Sequence, residues 1–521
     1  HMEKYVLVVV GSGVGLTIIE EALQNGMRCA IIERGKFGGT CLNRGCIPSK
    51  VLVYPADLIR EAEHADKVGV TYPAPEVSWP TIARRMWQFI DKNKKIEASL
   101  LSAEHLTVYR GTGVFTGPDT LQVPDERDGR TDPFTARLFV LAPGVRTQIP
   151  PVEGLAETGF ITSETFFGPL FPEKPWKSLT IVGGGAIGLE FAHIFSAQGT
   201  QVTIVEMAPR LAPTEEPEIS RLLEKQLRSR GIDVITNHQA VTAGKAEVGK
   251  CLLVRDRSDA STQSICSEEI FVAAGVRSNA DLLAVEKAGI ATDARGYIIT
   301  NEYLETSRKN VWALGDINGK YQFRHKANYE AEILAHNLFR PDLSKRSATY
   351  QSVPWAIFTD PQIAHVGLRE DEIKASGIRY LVGVNHYSDI AKGYAMGYER
   401  NDPDNGFVKL LTDENMKILG VHLIGPQASV LIQSFVYLMN AGYKCSQKTR
   451  DKRRKNSQRT ILGLFPPCTE ACSLDPILHS MVIHPALSEL TAWVIANLEW
   501  AAGQALGSRE KGACNVRHPE W

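Results

Sequence analysis

Two stretches of the chain show the same order of apolar and glycine positions. Residues 5–10 form an unbroken apolar, β-branched run that ends in the glycine-rich segment 11–16. Residues 179–182 form a second such run, which ends in the glycine-rich segment 183–188. Helix-compatible sequence follows each segment. An apolar run without alternation is typical of a buried parallel strand, and a glycine-rich turn between strand and helix is typical of a phosphate-binding loop. The pattern therefore predicts two strand–loop–helix units.

An acidic residue closes the next predicted strand of each unit. Glu33 follows the apolar residues 29–32, and Glu206 follows residues 201–205. Each lies about 20 residues beyond the first glycine of its loop, where a carboxylate bonds a ribose hydroxyl of a dinucleotide. Since the carboxylate of Glu206 would repel a 2′-phosphate, we expect the second unit to prefer NAD(H) over NADP(H).

The pattern of apolar positions changes from residue 350 onward. Residues 354–364 and 406–424 alternate between apolar and polar side chains, which predicts an antiparallel sheet. Residues 51–68 and 79–103, which follow the first unit, are predicted helices. The 521 residues suffice for roughly three or four domains. We predict an α/β chain with two Rossmann-like dinucleotide-binding domains and a C-terminal α+β domain.

Two cysteines, Cys41 and Cys46, lie in a glycine-rich stretch after the first unit. Residues five apart in a regular helix are about 7.5 Å apart along the axis, beyond the roughly 7 Å between Cα atoms that a disulfide tolerates. A bridge therefore needs a distorted turn, for which Gly45 gives backbone freedom before Pro48 enters the next helix. The dipole of that helix would favour a reactive thiolate. The spacing alone leaves two interpretations open, a redox-active disulfide or two unpaired buried cysteines.

The composition narrows the classes of function. Lys and Arg (58) nearly balance Asp and Glu (59), so the net charge gives no reason to expect a nucleic acid or an anionic membrane as partner. No apolar run approaches the ~20 residues of a membrane span and no signal peptide is evident, which makes the cytoplasm the expected location. Nine scattered cysteines favour a working disulfide over a structural framework, and their spacing predicts no metal site.

Two more motifs lie in the second half of the chain. An apolar strand ends in Gly315 and Asp316, and residues 484–489 read His-Pro-Ala-Leu-Ser-Glu. A histidine transfers protons near neutral pH, and a carboxylate on its other ring nitrogen raises its basicity. Together with the dinucleotide units and the cysteine pair, these motifs resemble the FAD-dependent pyridine nucleotide-disulfide oxidoreductases. Within that family the chain is most similar to the dihydrolipoamide dehydrogenases, and it also resembles the mycothione reductases.

The resemblance covers about residues 3–440 and 480–500, and it implies two cofactors, FAD in the first unit and NAD in the second. The residues that it assigns to FAD are Gly11, Gly13, Glu33, Gly39, Thr40, Lys50, Gly113, Gly144, Gly315, Asp316 and Ala327. The residues that it assigns to NAD are Gly183, Gly185, Gly188, Glu206 and Gly275. It also implies an ion pair between Lys50 and Glu190 beside the flavin.

The family implies a role for each reactive side chain of the candidate active site. Cys41 exchanges with the substrate, and Cys46 lies nearer the flavin. His484, oriented by Glu489, moves the substrate proton. In the family this histidine–glutamate pair reaches the cysteines from a partner subunit, so we expect a homodimer.

The family's arrangement also implies the domain boundaries. The FAD-binding domain takes residues 3–146 and 276–347, the NAD-binding domain takes 147–275, and the dimerisation domain takes 348–500, followed by a tail at 501–521.

The activity implied by the resemblance is electron transfer between a small dithiol or disulfide substrate and NAD(H). A reaction like that of dihydrolipoamide dehydrogenase, with the lipoyl group free or on a carrier protein, is the leading hypothesis. Reduction of a low-molecular-weight disulfide of mycothione type is the first alternative. A flavin-binding scaffold with impaired catalysis is the second, because a basic insertion at 444–480 precedes His484. The eight basic residues at 444–459 predict a solvated loop rather than a nucleic-acid site, since no aromatic residue is interleaved.

Overall fold

The structure is a computed structural model that describes residues 3–124, 132–247, 249–413, 418–440 and 480–484. The first region holds seven strands, β1 (Glu3–Val10), β2 (Cys29–Glu33), β3 (Leu106–Arg110), β4 (Val114–Gly117), β5 (Thr120–Gln122), β6 (Phe134–Leu141) and β7 (Val145–Thr147). Its helices are α1 (Gly15–Gln24), α2 (Gly39–Asn43), α3 (Cys46–His64), α4 (Trp79–Lys92) and α5 (Lys94–Leu101).

The first apolar run forms the central strand of a parallel sheet. β1 pairs in parallel with β2 on one side and with β6 on the other. Leu7, Val8 and Val9 are 0 % exposed, because helices or further strands cover both faces of β1. Burial on both faces explains why the run shows no polar alternation.

Two predicted helices differ from the structure in their bounds. The helix predicted at 51–68 begins earlier, at Cys46, so the second cysteine of the pair lies in its first turn. The helix predicted at 79–103 is divided at Asn93 into α4 and α5. The side-chain amide of Asn93 donates to the backbone oxygen of Leu42 (3.0 Å), which ties this break to α2. A polar side chain that bonds outside its own helix favours such an end.

The second region continues with α6 (Leu155–Thr158), α7 (Ser163–Phe166), β8 (Ser178–Val182), α8 (Ala186–Ala197), β9 (Gln201–Val205), α9 (Pro217–Ser229), β10 (Asp233–Ile235), β11 (His238–Lys245), β12 (Lys250–Asp256), β13 (Thr262–Ser267) and β14 (Glu269–Val272). A parallel sheet has the order β10-β9-β8-β14, and β11, β12 and β13 form an antiparallel sheet beside it. Cys251 and Cys266 face each other on β12 and β13 and form a disulfide. This disulfide was not predicted, because only the register of β12 and β13 brings the two cysteines together. Whether it is a working disulfide stays open to test.

The chain then returns to the first sheet through β15 (Val276–Ser278), β16 (Val311–Ala313) and α10 (Arg324–Phe339). β15 pairs with β7 in an antiparallel ribbon, so the outgoing and returning segments lie side by side. β16 pairs in parallel with β6, with Ala313 opposite Leu141. The loop after β16 therefore lies at the carboxyl end of the sheet, as the first glycine loop does.

The C-terminal domain contains β17 (Pro354–Ile357), β18 (Ile363–Gly367), α11 (Glu370–Ser376), β19 (Tyr380–His386), α12 (Ala391–Ala395), β20 (Phe407–Asp413), β21 (Ile418–Ile424) and α13 (Ala428–Asn440). Its antiparallel sheet has the order β17-β18-β21-β20-β19. The predicted fold class, two Rossmann-like domains and a C-terminal α+β domain, is confirmed.

Several predictions fall outside the described part of the chain. They are Glu489, most of the basic insertion at 444–480 and the tail at 501–521. None of the helices between residues 3 and 440 is long and apolar enough to cross a membrane.

Candidate active site

One cavity joins the first glycine loop to the cysteine pair. All eleven residues that the sequence assigns to FAD line it, namely Gly11, Gly13, Glu33, Gly39, Thr40, Lys50, Gly113, Gly144, Gly315, Asp316 and Ala327. Cys41, Cys46, Glu190 and His484 line the same cavity. The fold therefore gathers into one space residues that lie as far apart in sequence as Cys41 and His484, 443 positions from each other.

The first glycine loop is held by tight backbone packing and by a buried carboxylate. Gly11 has φ +95°, and a Cβ there would lie 2.1 Å from the backbone oxygen of Ala142. Oε2 of Glu33 accepts hydrogen bonds from the backbone N (2.9 Å) and the Oγ (2.6 Å) of Ser12. The close contact between α1 and β1 is made by Gly15, where a Cβ would lie 2.6 Å from the side chain of Val9. These contacts fix the loop with its backbone turned toward the cavity.

The cysteine pair lies at the distorted turn that its spacing requires. α2 ends at Asn43 and α3 begins at Cys46, and the backbone leaves helical geometry at Arg44 and Gly45. Cys41 and Cys46 are not joined by a disulfide in this structure and carry thiol groups. Cys46 therefore lies at the N-terminus of a 19-residue helix, where the helix dipole favours a thiolate.

The environment of Cys46 lowers the pKa of its thiol. The hydrogen bond with Cys41 is the largest cause that lowers the pKa of Cys46, from 9.0 to about 7. Burial opposes this shift, while the positive charges of Lys50 and His484 support it and the carboxylate of Glu190 opposes it. A thiol with a pKa near 7 is substantially ionised at neutral pH.

His484 lies within hydrogen-bonding distance of the outer cysteine. Its Nε2 lies 3.2 Å from Sγ of Cys41. The side-chain amide of Gln433 on α13 holds the preceding residues, since it donates to the backbone oxygen of Met481 (3.2 Å) and accepts from the backbone N of Ile483 (3.1 Å). Met481 and Ile483 are buried and anchor the segment.

Which subunit supplies this histidine stays a prediction. The resemblance places the catalytic histidine on a partner subunit, and within one chain His484 lies beside Cys41. Residues 480–484 pack against α13 of their own chain, at the edge of the cavity. Its predicted companion, Glu489, lies outside the described residues.

Lys50 and Glu190 form the predicted ion pair on the cavity wall. Nζ of Lys50 donates to Oε2 of Glu190 (2.5 Å). The other carboxylate oxygen of Glu190 accepts from the backbone N of Phe358 (3.1 Å), and Lys50 lies over the ring of Phe358 at 4.7 Å. The pair thus joins α3, α8 and the C-terminal domain. The sequence did not predict Phe358 as a site residue, because it contacts the ion pair through its backbone N and through the position of its ring.

A buried ion pair on α10 fixes the Gly315–Asp316 loop, and the sequence analysis missed it. Nζ of Lys326 donates to the backbone oxygen of Gly315 (2.8 Å), and the carboxylate of Glu330 accepts from the backbone N of Gly315 (2.7 Å). Both side chains are 0 % exposed. Burial raises the pKa of Asp316 to about 6. A lysine and a glutamate four apart at the start of a helix are the signal that was available.

The second glycine loop is built in the same way, and its glycines do not line this cavity, although Ala186 and Ile187 of the same segment do. Gly183 has φ +116°, and a Cβ there would lie 2.3 Å from the backbone oxygen of Ala273. A Cβ on Gly188 would lie 2.1 Å from the backbone oxygen of Gly183. The carboxylate of Glu206 accepts from the backbone N of Gly184 (2.6 Å) and of Ala208 (2.6 Å).

Two further glycines assigned to NAD lie beside the second loop. Space within 4 Å of a Cβ on Gly185 or on Gly275 is open, and Gly275, with φ +99°, lies three residues after the end of β14. The five residues assigned to NAD therefore surround one loop at the carboxyl end of β8. Their roles in binding stay predictions.

Comparison with protein families agrees with this architecture. Residues 5–331 match the pattern of the pyridine nucleotide-disulphide oxidoreductases, and residues 353–452 match the dimerisation domain of the same family. This chain is a pyridine nucleotide-disulphide oxidoreductase. Its predicted recognition as a flavoprotein disulfide oxidoreductase is confirmed, as are FAD and a nicotinamide dinucleotide as the cofactors of the family.

Individual members of the family are similar over most of the chain. A mycothione reductase of Mycobacterium tuberculosis is 35% identical over 457 residues, which cover 86% of this chain and 95% of that protein. A dihydrolipoyl dehydrogenase of Bacillus subtilis is 31% identical and covers 82% of this chain and 90% of its own length. The solved structure of the HOCl-induced flavoprotein disulfide reductase RclA from Escherichia coli has 27% identity and a TM-score of 0.71, and the match covers 84% of this chain and 94% of RclA.

The cavity of this oxidoreductase has the features that FAD requires. Gly13 and Gly39 approach so closely that a Cβ on Gly39 would lie 2.6 Å from Cα of Gly13, which leaves room for a pyrophosphate against bare backbone. Glu33 is the last residue of β2, Asp316 lies three residues after β16, and both line the cavity. These residues would hold FAD, and the chemistry it supplies when bound is two-electron exchange with a nicotinamide dinucleotide and with sulfur.

Proposed function

We propose that this oxidoreductase moves two electrons between NAD(H) and a small dithiol–disulfide couple, and that dihydrolipoamide is its first candidate substrate. The observation that carries the proposal is the 3.2 Å contact between Nε2 of His484 and Sγ of Cys41, beside a Cys46 whose pKa is lowered to about 7. An outer thiol with a base and an inner thiol with a low pKa are the two groups that thiol–disulfide exchange needs.

The proposed exchange balances protons and electrons at named atoms. When Cys41 and Cys46 are joined, a substrate thiol gives its proton to Nε2 of His484 and attacks Sγ of Cys41, and Cys46 leaves as a thiolate. The second substrate thiol then attacks the substrate sulfur of the mixed disulfide, so Cys41 departs and takes up the proton held by His484, while the proton of the second thiol passes to His484 in its place. The substrate leaves oxidised, and the cysteine pair holds two electrons as the Cys41 thiol and the Cys46 thiolate, with the second proton on His484. The reverse sequence reduces a disulfide substrate.

The second glycine loop supports NAD(H) as the nicotinamide cofactor. Glu206 places a carboxylate beside the loop, fixed by hydrogen bonds to the backbone N of Gly184 and Ala208. A carboxylate in that position accepts from a free ribose hydroxyl and repels a 2′-phosphate. The proposal therefore prefers NAD(H) over NADP(H).

The decisive test is steady-state turnover of the purified flavoprotein with dihydrolipoamide and NAD. We expect NADH formation that requires both cysteines, and a markedly lower kcat/KM with NADP. A yellow protein with a reducible cysteine pair that turns over neither dihydrolipoamide nor any disulfide would support the scaffold alternative and overturn the proposal.

Reduction of a low-molecular-weight disulfide is the second candidate. The 35% identity to a mycothione reductase, over 95% of that protein, is the observation that favours it. The same preparation should be assayed with NADH and mycothione. A kcat/KM for mycothione above that for dihydrolipoamide would assign the chain to this second activity.

A homodimer is the proposed assembly, and the match to the family's dimerisation domain supports it. Mixing the inactive variants Cys41→Ser and His484→Gln and exchanging their subunits tests which chain supplies the histidine. If His484 acts on its own chain, as its contact with Cys41 suggests, mixed dimers stay inactive. If it acts across the dimer, one site in each mixed dimer regains both wild-type residues and activity returns. A location in the cytoplasm stays part of the proposal.

A further inference from the structure

A row of polar side chains crosses one face of the C-terminal sheet, far from the cysteine pair in sequence. Trp355 on β17 is opposite His365 on β18, His365 is opposite His422 on β21, and His422 is opposite Lys409 on β20. Directly opposed residues of antiparallel strands present their side chains on the same face. Glu215, two residues before α9, faces this row from the second dinucleotide-binding domain, and its Oε1 accepts from Nε1 of Trp355 (2.6 Å).

Three side chains of this group are buried and have an atom without a hydrogen-bond partner. Glu215 is 0 % exposed, His365 is 1 % exposed and His422 is 0 % exposed. The unpartnered atoms are Oε2 of Glu215 and Nδ1 of both histidines. Oε2 of Glu215 and Nδ1 of His365 lie 3.4 Å apart but form no hydrogen bond. Buried polar atoms without a hydrogen bond are costly, and a group of them calls for an explanation such as a bound ion or water.

The hydrogen bonds of the histidines fix which nitrogen is available. Nε2 of His365 donates to the backbone oxygen of Gly367 (2.9 Å), and Nε2 of His422 donates to the backbone oxygen of Leu368 (3.0 Å). A neutral imidazole that donates through Nε2 has a lone pair on Nδ1. Proteins orient a metal-binding histidine by a hydrogen bond from its other ring nitrogen to a group such as a backbone carbonyl.

We propose that Glu215, His365 and His422 bind one divalent transition-metal ion, of which Zn²⁺ is the test case. One ligand atom from each of the three residues lies within 4.8 Å of the other two. Nδ1 of His365 is 3.4 Å from Oε2 of Glu215, close to the separation of about 3.3 Å between ligands of a tetrahedral Zn²⁺ with bonds of about 2.0–2.1 Å. Two imidazoles and one carboxylate form a ligand set that Zn²⁺ uses, with a fourth position for water.

The surrounding charges permit a cation at this position. Lys409, the nearest cation of the row, is neutralised by three carboxylates, since its Nζ contacts Glu216 (2.8 Å), Glu218 (3.2 Å) and Glu370 (2.7 Å).

The proposed ion would tie two domains together. Glu215 precedes α9 of the second dinucleotide-binding domain, whereas the two histidines come from the central strands of the C-terminal sheet. An ion held by all three would stabilise the junction of these domains by binding only the folded state. The sequence predicted no metal site, because the three ligands share no short spacing and become neighbours only when the two domains pack.

Zinc analysis of the full-length holoenzyme tests the proposal. A Cys41→Ser, Cys46→Ser background removes the two thiols that form a second potential metal group with His484. After treatment with a chelator, the protein is dialysed against limiting Zn²⁺, and bound zinc is measured by mass spectrometry. We expect about one additional Zn²⁺ per chain that His365→Gln and His422→Gln each abolish. We also expect Zn²⁺ to raise the melting temperature of the parent protein.

Two further variants distinguish metal loss from damage to the fold. Glu215→Gln keeps the Oε1 acceptor for Trp355 while it removes the ligand charge, so it should fold, retain flavin and lose the zinc-dependent rise in melting temperature. His193→Gln is the matched control, because His193 is equally buried but its Nε2 contacts a single carboxylate, that of Asp57 (2.8 Å). It should retain the zinc. Equal zinc content in the parent protein and in Glu215→Gln, or no zinc in either, would overturn the proposal and leave a network of hydrogen bonds only.

Discussion

The two glycine loops of this oxidoreductase share a local design but differ in what encloses them. A Cβ would collide with a backbone oxygen at Gly11 (2.1 Å) and at Gly183 (2.3 Å), so both strand–loop turns admit only glycine. The first loop opens into a cavity that is also lined by the returning strand, the C-terminal domain and His484. Beside the second loop, Ile187 is 42% exposed and Met207 is 54% exposed. The same motif thus borders an enclosed cavity in one unit and has exposed side chains beside it in the other.

The largest expected effect comes from placing alanine in each loop. Gly11→Ala should abolish flavin content and all turnover, because the added methyl group meets the backbone oxygen of Ala142 at φ +95°. Gly183→Ala should keep the flavin and lose most turnover that depends on NADH. Flavin absorbance per protein and steady-state rates measure both outcomes.

A matched glycine controls for backbone strain in this pair of variants. Gly26 also has a positive φ (+68°), but nothing lies within 4 Å of a Cβ there. Gly26→Ala should therefore cost only about 1 kcal/mol and retain both flavin and activity. If Gly183→Ala lost flavin as completely as Gly11→Ala, the distinction between an enclosed and an accessible unit would be wrong.

A second, smaller effect is expected at His484, which lines the first cavity and not the second loop. His484→Gln should lower dithiol–disulfide turnover by about 10²–10⁴-fold, the usual contribution of a general acid–base group. Flavin content and the Kd for NADH should not change, because His484 lines the first cavity and not the second loop. His336→Gln on α10, whose Nε2 contacts only the backbone oxygen of Ser344 (3.0 Å), is the control. Equal kcat values for the His484 and His336 variants would contradict the assigned role.

The smallest effect concerns the ionisation of Cys46. Because its pKa is lowered from 9.0 to about 7, the thiolate should appear as the pH rises through about 7 and disappear as the pH falls below it. The ultraviolet absorbance of the thiolate, as a difference from the Cys46→Ser variant, measures this titration. Removing a nearby positive charge by Lys50→Met should move the midpoint upward, whereas Cys41→Ser, which keeps a hydrogen-bond donor, should move it less. A midpoint near 9 in the unmodified protein would refute the proposed environment.

Local features of the site were predictable from the sequence because contiguous residues encode them. The distorted turn between Cys41 and Cys46 follows from their spacing, from Gly45 and from Pro48. The strand and loop at Gly11 follow from an unbroken apolar run that ends in glycine. The division of the predicted helix at Asn93 was not predictable, because it is linked to a bond between this side chain and Leu42, some fifty positions away.

The resemblance to the family predicted further site residues that no local pattern in the sequence indicates. Lys50 and Glu190 were paired only because the family pairs them, and the structure places them 2.5 Å apart across two helices. The roles of all these residues in catalysis and binding stay predictions. The disulfide between Cys251 and Cys266 had neither a family motif nor a recognisable spacing, and only the register of β12 and β13 brings the two sulfurs together.

The sequence by itself determined the two dinucleotide-binding units, the reactive cysteine pair and the glycines that the turns demand. Each is specified by side-chain periodicity and backbone freedom over fewer than about 30 residues. Only the tertiary structure decided that His484 of the same chain lies beside Cys41, and that Glu215, His365 and His422 converge between two domains. Such contacts depend on how whole domains pack, and the free energy of that packing is spread over buried surfaces that no short stretch of sequence records.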